Sequence, residues 1–353
     1  MANENLSHFV KNIRSVRART PLRLSFGGGG TDVSPYADEF GGCVISATIT
    51  MYIYATLTPC AEPGLHIRSL DYDSVIHYRE EKDFDYNGQM DLAKGVFRRF
   101  GAHKQRDGGY ELYVHGDAPP GSGLGSSSTF TVTLIGLFRE LLGVPMTPYG
   151  MAELAYDIER NEIGIKGGRQ DQYAAAFGGF NFIEFQKSEV VVTPLRLSPF
   201  LIQEMEYSLL LCYTKSVRES QHLINRQIDN FQAGKVDAIT ALNQIKALSF
   251  DLKRTLMLGD LMRFGELLHE GWEQKKLTAT GITTPYIDEL YEAACKSGAV
   301  GGKIAGAGGG GYLLLFVPFQ HRHKVTKVLN EMGGQVLDIR FEPNGVQTWR
   351  VYE

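Results

Sequence analysis

Between Pro119 and Thr129 the chain reads Pro-Pro-Gly-Ser-Gly-Leu-Gly-Ser-Ser-Ser-Thr, with glycine at 121, 123 and 125. Alternate glycines let a backbone take positive φ and pass close to a ligand, and a helix starting just beyond them offers unpaired amides to an anion. Phosphates are the natural occupant. No Lys-Ser or Lys-Thr follows as in a Walker A loop, and Ser126 stands where GxGxxG needs its third glycine, so a different phosphate loop is required. Two further clusters exist: Gly27 to Gly30, leading into Thr31-Asp32, and Gly301 to Gly311. The three clusters hold four, three and seven of the chain's 40 glycines, which marks glycine as placed rather than scattered. Carboxylates accompany them. Asp32 could accept sugar hydroxyls or simply cap a turn. Glu159 and Glu162 sit three apart on adjoining helix surface. Asp171, within Lys166-Gly-Gly-Arg-Gln-Asp-Gln172, is either catalytic or a salt-bridged structural group.

These residues need elements to hold them. Tyr110 to Gly116 alternates and reads as a strand, and Phe130 to Leu142 is apolar enough for a helix buried on nearly all sides. Arg19 to Phe26 reads as a strand ending at the first glycine cluster. Gly42 to Thr58, and then Leu65 to Arg79, are rich in β-branched and aromatic residues and read as antiparallel sheet. Met90 to Phe100 predicts a short helix with Lys94, Arg98 and Arg99 turned outward. Thr147-Pro148 is an N-cap and N1 pair for a helix ending near Gly164. A strand at Gly179 to Phe185 follows, then a buried strand at Glu206 to Tyr213. From Ser220 to Ser297 the pattern is helical, broken at Gly234, Gly259 and Thr283 to Pro285. Gly306, Gly308 and Gly311 formally satisfy GxGxxG, but they precede the strand Tyr312 to Val317, which excludes the dinucleotide fingerprint. A helix at Gln320 to Met332 and a hairpin of Gln335 to Arg340 with Gln347 to Tyr352 close an α+β pattern.

The length of 353 residues suggests two domains, and a net charge of −4 offers no basic field, so nucleic acid is not the partner. Cys43, Cys60, Cys212 and Cys295 lie far apart without zinc-ligand spacing, as free thiols of a cytoplasmic protein would. No apolar run is long enough to span a membrane. The first twenty residues lack the apolar stretch of a signal peptide and read as a short lead-in.

Taken together, PPGSGLGSSS between strand and helix, TPLRLSFGGGGTD near the N-terminus and KIAGAGGGG before a late strand resemble, in order, the three signature motifs of the GHMP kinases. That resemblance implies a two-domain α+β fold: an N-terminal α/β domain over residues 1–204, a C-terminal ferredoxin-like domain over 205–353, and the site in the cleft between them. It implies ATP-dependent phosphorylation of a small-molecule alcohol with Mg2+, by a monomer or homodimer. Pro120, Gly121, Ser122, Gly123, Leu124, Gly125, Ser126, Ser127 and Ser128 would hold ATP. Ser127 and Glu159 would bind magnesium, with Glu162 as competitor. Asp171 falls on the base and Arg23 on the basic residue beside it. Gly28, Gly29, Gly30, Thr31, Asp32, Lys166, Arg169, Gly308 and Gly309 would face the acceptor. Many sugar kinases of the family carry Gly-Glu-His before Thr-Asp, whereas all these places are glycine here, leaving room for the acceptor or amides for an anion. This variant, with RQDQYAAAFGGFNFIEF, resembles the branches acting on heptose 7-phosphate and on fucose, both of which phosphorylate the anomeric hydroxyl. The chain has the size of the former. A fucokinase-like or galactokinase-like activity and a non-catalytic sugar and ATP sensor are the alternatives.

Overall fold

The structure is a computed structural model that describes residues 13–69, 74–102, 108–216 and 220–352. Two long strands, β1 (Ile13–Gly27) and β2 (Gly42–Cys60), pair antiparallel and form the spine of the first sheet, with the short helix α1 (Tyr36–Phe40) between them. Their β-branched and aromatic content suits a pleated surface buried on one or both faces. The outer edge of β2 is shared. Its first part, Gly42 to Ala47, pairs with β6 (Phe180–Phe185), and its second part, Ile53 to Cys60, pairs with β5 (Gly109–Gly116). The sheet order is β12-β1-β2-β5-β3-β4, where β3 is Gly64–Ser69, β4 is Ser74–Tyr78 and β12 is Gln347–Tyr352; β7 (Val190–Pro194) extends the β6 branch. Every pair is antiparallel except β3 with β5.

Four helices serve this sheet: α2 (Asp91–Arg99), α3 (Ser126–Leu142), α4 (Pro148–Tyr156) and α5 (Gln170–Phe177). In α3 eleven of 17 residues are buried, including the whole stretch Thr131 to Phe138 at its centre. The N-cap of α4 is Thr147, whose hydroxyl accepts from the Gly150 amide at 3.1 Å, with Pro148 following. This helix widens into a π turn over Asp157–Glu162 before the chain leaves at Gly164. Such turns re-aim side chains, and this one carries Glu159.

The second sheet has the order β11-β8-β10-β9, all antiparallel: β8 (Leu209–Tyr213), β9 (Gly301–Ile304), β10 (Tyr312–Phe316) and β11 (Gln335–Leu337). Around it lie α6 (Pro199–Ser208), α7 (Ser220–Gln232), α8 (Val236–Leu258), α9 (Leu261–Thr278), α10 (Pro285–Ser297) and α11 (Phe319–Glu331). A shared core joins the halves: Leu22, Leu24 and Phe26 of β1 pack with Leu252, Phe264, Leu267 and Phe316, and the Phe26 and Phe264 rings meet edge to face at 5.4 Å. At roughly 1.5–3 kcal/mol per buried large apolar side chain, this layer holds the two sheets at a fixed relation.

Three expectations are corrected. Glu206 to Ser208 are not strand but the last turn of α6, whose start is set by the Ser198 cap and Pro199. The two closing strands do not form a hairpin, because β11 pairs with β8 while the chain crosses back so that β12 covers the outer edge of β1. Lys94 does not point outward. It is fully buried, with Nζ donating to the Asp85 carbonyl at 2.9 Å and to Asn87 Oδ1 at 2.8 Å, 3.5 Å from Asp91 and over the Tyr78 ring. The segment before α2 folds over the ammonium and supplies acceptors that helical spacing alone does not reveal.

Candidate active site

After β5 the chain turns through Pro119 to Gly125 and enters α3 at Ser126. Gly125 is the N-cap at φ 81° and no side chain caps the first turn; the first helical bond runs from the Thr129 amide to the Gly125 carbonyl at 2.9 Å. The preceding amides are therefore directed at whatever anion lies above the turn, where the helix dipole is positive. A Cβ on Gly125 would stand 3.2 Å from Asp171 Cγ, and one on Gly123 only 2.3 Å from the Ala305 carbonyl oxygen. The glycine loop is thus pressed between Asp171 and the third glycine cluster. Tyr312 N donates to the Ser122 carbonyl at 3.3 Å, and Arg23 N to the Leu124 carbonyl at 3.1 Å, so β10 and β1 each grip it by backbone.

Asp171 sits in the first turn of α5 and faces Arg23 of β1. Arg23 Nε donates to Asp171 Oδ1 at 2.7 Å, its Nη2 lies 2.7 Å from the same oxygen, and Nη1 donates to the Gly123 carbonyl. Among the described residues no donor reaches Asp171 Oδ2. Arg23 is almost wholly buried while Asp171 is about a quarter exposed, so the pair opens to the cavity on the carboxylate side. The orientation of Asp171 is fixed and one oxygen is left for an incoming proton.

Two more carboxylates approach. Glu159, fully buried, accepts from Ser128 Oγ at 2.8 Å and from Gln172 Nε2 at 3.0 Å, both on Oε2, with Arg160 at 3.3 Å. Oε1 has no partner. Burial pushes this carboxyl above its ordinary range, opposed by Arg160 and by the Ser128 hydroxyl. A buried carboxylate with one oxygen unmet is costly unless a cation or donor completes it. Asp32 is also buried and accepts from the Gln170 amide at 3.1 Å, from Gln170 Nε2 at 3.2 Å on both oxygens, and from Gly30 N at 3.0 Å. Gly168 packs against it so tightly that a Cβ would fall 1.9 Å from Oδ2. Beneath, Lys275 and Lys303 are buried; loss of solvent pulls their ammonium groups down to about 8 and about 7, with Asp32 opposing in both.

Apart from Lys303, these groups line one cavity of about 570 Å³, walled by the glycine loop, by residues 165–168, by Gly29, Gly30 and Asp32, by Gln221, Ile224 and Gln227 of α7, by Lys275 and by Gly306-Ala307. An amide cradle for anions, an oriented carboxylate with a free oxygen and a second carboxylate suited to hydroxyls are the parts of a site that positions a phosphoryl donor beside an alcohol.

Comparison with known proteins gives the same picture. Residues 91–179 match the GHMP kinases N terminal domain and residues 249–336 match the GHMP kinases C terminal domain. The D-glycero-alpha-D-manno-heptose 7-phosphate kinase of Campylobacter jejuni is 35% identical over 344 residues, covering 96% of this chain and 100% of that protein. The chain belongs to the GHMP kinases. A crystal structure titled as a D-glycero-D-manno-heptose 1-phosphate kinase from Bacteroides thetaiotaomicron superposes with a TM-score of 0.79 at 34% identity, over 96% of this chain and 100% of that one. The L-fucokinase/L-fucose-1-P guanylyltransferase of Bacteroides fragilis is 26% identical, over 90% of this chain and 36% of that longer protein.

In this GHMP kinase the three glycine clusters converge, yet not all of the sequence-derived residues reach the cavity. Arg23, Gly29, Gly30, Asp32, Pro120, Gly121, Gly123, Gly125, Ser126, Ser127, Ser128, Glu159, Lys166 and Asp171 line it. Thr31 is buried instead, its hydroxyl donating to the Gly28 and Cys43 carbonyls, and Gly28 packs on Cys43. Ser122 and Leu124 are buried loop supports. Arg169 turns away to Asp38 at 3.0 Å and to the Gln186 carbonyl at 2.9 Å, stacked over Tyr156, so it does not serve the acceptor. Gly308 and Gly309 pack on Ile282, and Gly306 and Ala307 stand at the cavity in their place. Of the two candidate glutamates, Glu162 is engaged by Arg99 and Tyr86 on the outer side. Sequence reading passed over Arg160, Gln170, Gln172, Gln227 and Lys275. Gln170 and Gln172 flank Asp171 in the quoted motif and carried a signal, whereas Gln227 and Lys275 are ordinary helix residues by spacing.

Proposed function

We propose that this GHMP kinase transfers the γ-phosphoryl group of ATP to the anomeric hydroxyl of D-glycero-D-manno-heptose 7-phosphate, giving the 1,7-bisphosphate for nucleotide-activated heptose and surface polysaccharide synthesis in the cytoplasm. The observation that carries this reading is the Arg23–Asp171 pair set directly against the glycine loop, in a cavity that Asp32 and Gln170 also line. The choice of acceptor is supported by the Campylobacter jejuni relative, similar along its whole length. No helix among the described residues is long and apolar enough to cross a membrane. In this reading the amides of Ser126 to Ser128 hold the donor's phosphates and Asp32 orients the sugar. Asp171 Oδ2 takes the proton of the attacking hydroxyl, and Arg23 holds Asp171 while its charge offsets that gathering on the transferring group.

The site also fits a magnesium ion. Glu159 Oε1 is a buried carboxylate oxygen without a partner, and the Ser127 and Ser128 hydroxyls stand on the same cavity wall. Among the described residues no cluster of three or more His, Cys, Asp or Glu could hold a metal by itself, which suits a cation that keeps waters and leans on nucleotide phosphates. Bound there, magnesium would neutralise phosphate charge. For the acceptor's own phosphate Lys166 is the candidate cation: it lines the cavity together with Arg23, Arg160 and Lys275, whereas Arg169 is turned away to Asp38.

The names of the two heptose-related proteins place the acceptor's phosphate differently, so the test must separate them. ADP release with ATP and Mg2+ would be followed over heptose 7-phosphate, heptose 1-phosphate, the unphosphorylated heptose, L-fucose and galactose. Turnover strongly favouring the 7-phosphate supports the reading; turnover on the 1-phosphate or a plain sugar replaces the acceptor while keeping the mechanism. ADP release with none of them would leave a binding protein.

A further inference from the structure

The catalytic account leaves two cavity-lining amides each with a buried atom that has no partner. Gln227, on the cavity face of α7, is nearly inaccessible; its Oε1 accepts from Lys275 Nζ at 3.1 Å, and Lys275 is itself anchored on the Gly29 carbonyl at 3.0 Å. An ammonium can only donate, so this contact fixes the amide with its oxygen toward Lys275 and its nitrogen on the side away from it. Nε2 has no partner. Gln170 is the mirror case: its Nε2 is spent on Asp32 and its buried Oε1 has none. The two amides flank the backbone of the first glycine cluster. A Cβ on Gly29 would lie 3.8 Å from Gln170 Nε2, and one on Gly30 would lie 2.9 Å from Lys275 Nζ and 3.3 Å from Gln227 Oε1. Both side chains line the cavity. Buried polar atoms left unpaired cost stability unless something meets them, and here one side offers a donor and the other an acceptor.

We propose that Gln227 and Gln170 are specificity-determining residues that read hydroxyls of the acceptor, Gln227 Nε2 donating to one sugar oxygen and Gln170 Oε1 accepting from another, with Lys275 as the positioning residue that orients Gln227. Gly30, at φ 106°, holds a backbone conformation that favours glycine, and a side chain there would also crowd Lys275 Nζ and Gln227 Oε1. The glycine run therefore makes room for readers from α7 and α9; one of its amides, that of Gly30, is already taken by Asp32 and is not offered to an anion. This rests on the sugar-kinase reading but not on which sugar is bound. It makes the acceptor pocket a composite, with its selectivity written partly in the helical half of the chain.

The test is calorimetric titration of heptose 7-phosphate and, separately, L-fucose into the full chain and into Gln227→Glu and Gln227→Met. Gln227→Glu keeps an oxygen for Lys275 and turns the unpartnered donor into an acceptor whose added charge the Lys275 ammonium meets, so it preserves the fold should the methionine variant not. The expected result is acceptor affinity weaker on the order of tenfold in both variants, the loss of one hydrogen bond to a buried group. The preference of the wild type for its sugar over the analogue deoxygenated at the contacted position should collapse as well. Unchanged affinity in both variants, with the wild type binding heptose 7-phosphate, overturns the inference and leaves the heptose reading standing. Wild-type binding of fucose alone, weakened by Gln227→Glu, overturns the heptose reading and supports the inference. Binding of neither sugar overturns both.

Discussion

Replacing Asp171 with asparagine separates catalysis from architecture at this site. The amide keeps an oxygen where Oδ1 now accepts from Arg23 at 2.7 Å, and Arg23 retains the Gly123 carbonyl, so the guanidinium is not stranded. Breaking a buried pair outright costs about 3–5 kcal/mol, but Asp171 is about a quarter exposed and the substitution is isosteric, which brings the loss to about 1–2 kcal/mol. That corresponds to a melting shift of roughly 2–4 °C for a chain of this size. The proton acceptor is lost completely. General-base assistance is worth about 10²–10⁴ in rate, or roughly 3–5 kcal/mol of barrier. Steady-state ADP release should therefore show kcat down by at least about a hundredfold, with the KM for ATP little changed, since the amide cradle and Glu159 are untouched. A variant that melts within a few degrees of the parent and turns over within tenfold of it would refute Asp171 as the base.

Three further outcomes follow from the same geometry. Glu159→Gln should raise the melting temperature of the ligand-free protein, because burial already disfavours that charge, and should shrink the additional stabilisation given by ATP with Mg2+; thermal melts with and without ligand read both. Gly168→Ala forces a methyl to 1.9 Å from Asp32 Oδ2, so acceptor KM should rise about tenfold or more while ATP KM holds, as a two-substrate titration would show. Lys303→Met concerns pH. Burial, together with Lys275 and Arg23, pulls the folded ammonium down to about 7 from its usual 10.5, so between those values the unfolded chain holds the extra proton and stability contributed by this group rises with pH. The methionine variant should melt higher than wild type at pH 6, by an advantage on the order of a few kcal/mol that fades toward pH 10; a constant difference across that range would contradict it.

What could be read in the sequence was what neighbours along the chain decide. Alternation made β5 legible, apolar continuity made α3, and the Thr147-Pro148 signal placed the start of α4. The tight glycine turn into α3 was legible because its glycines act on their own backbone. Arg23 and Asp171, 148 residues apart, were brought together by resemblance rather than by pattern, and the structure pairs them. Where side chains choose partners across the fold, the sequence was silent or misleading. Arg169 read as an acceptor cation because nothing local shows Asp38 beside it, Lys94 read as surface because its acceptors come from a folded-back loop, and Gln227 went unnoticed because its meaning comes from Lys275. The split of the closing strands between two sheets is a topological choice, invisible to periodicity.

That crossing has a bearing on how the protein is made. Arg19 in β1 meets Gln347 in β12, 328 residues later, through Nε to Oε1 at 2.6 Å. During synthesis the edge of β1 from Ile13 to Arg19 stays unpaired until residues 347–352 have emerged, so the early half cannot seal this edge before the later half appears. A strand edge left bare from Ile13 to Arg19 is a template for association between nascent or truncated chains. Light scattering from residues 1–204 expressed alone, compared with the full chain, would register that exposure, and a fragment that stayed monomeric and cooperatively folded would show that β12 is dispensable as a seal.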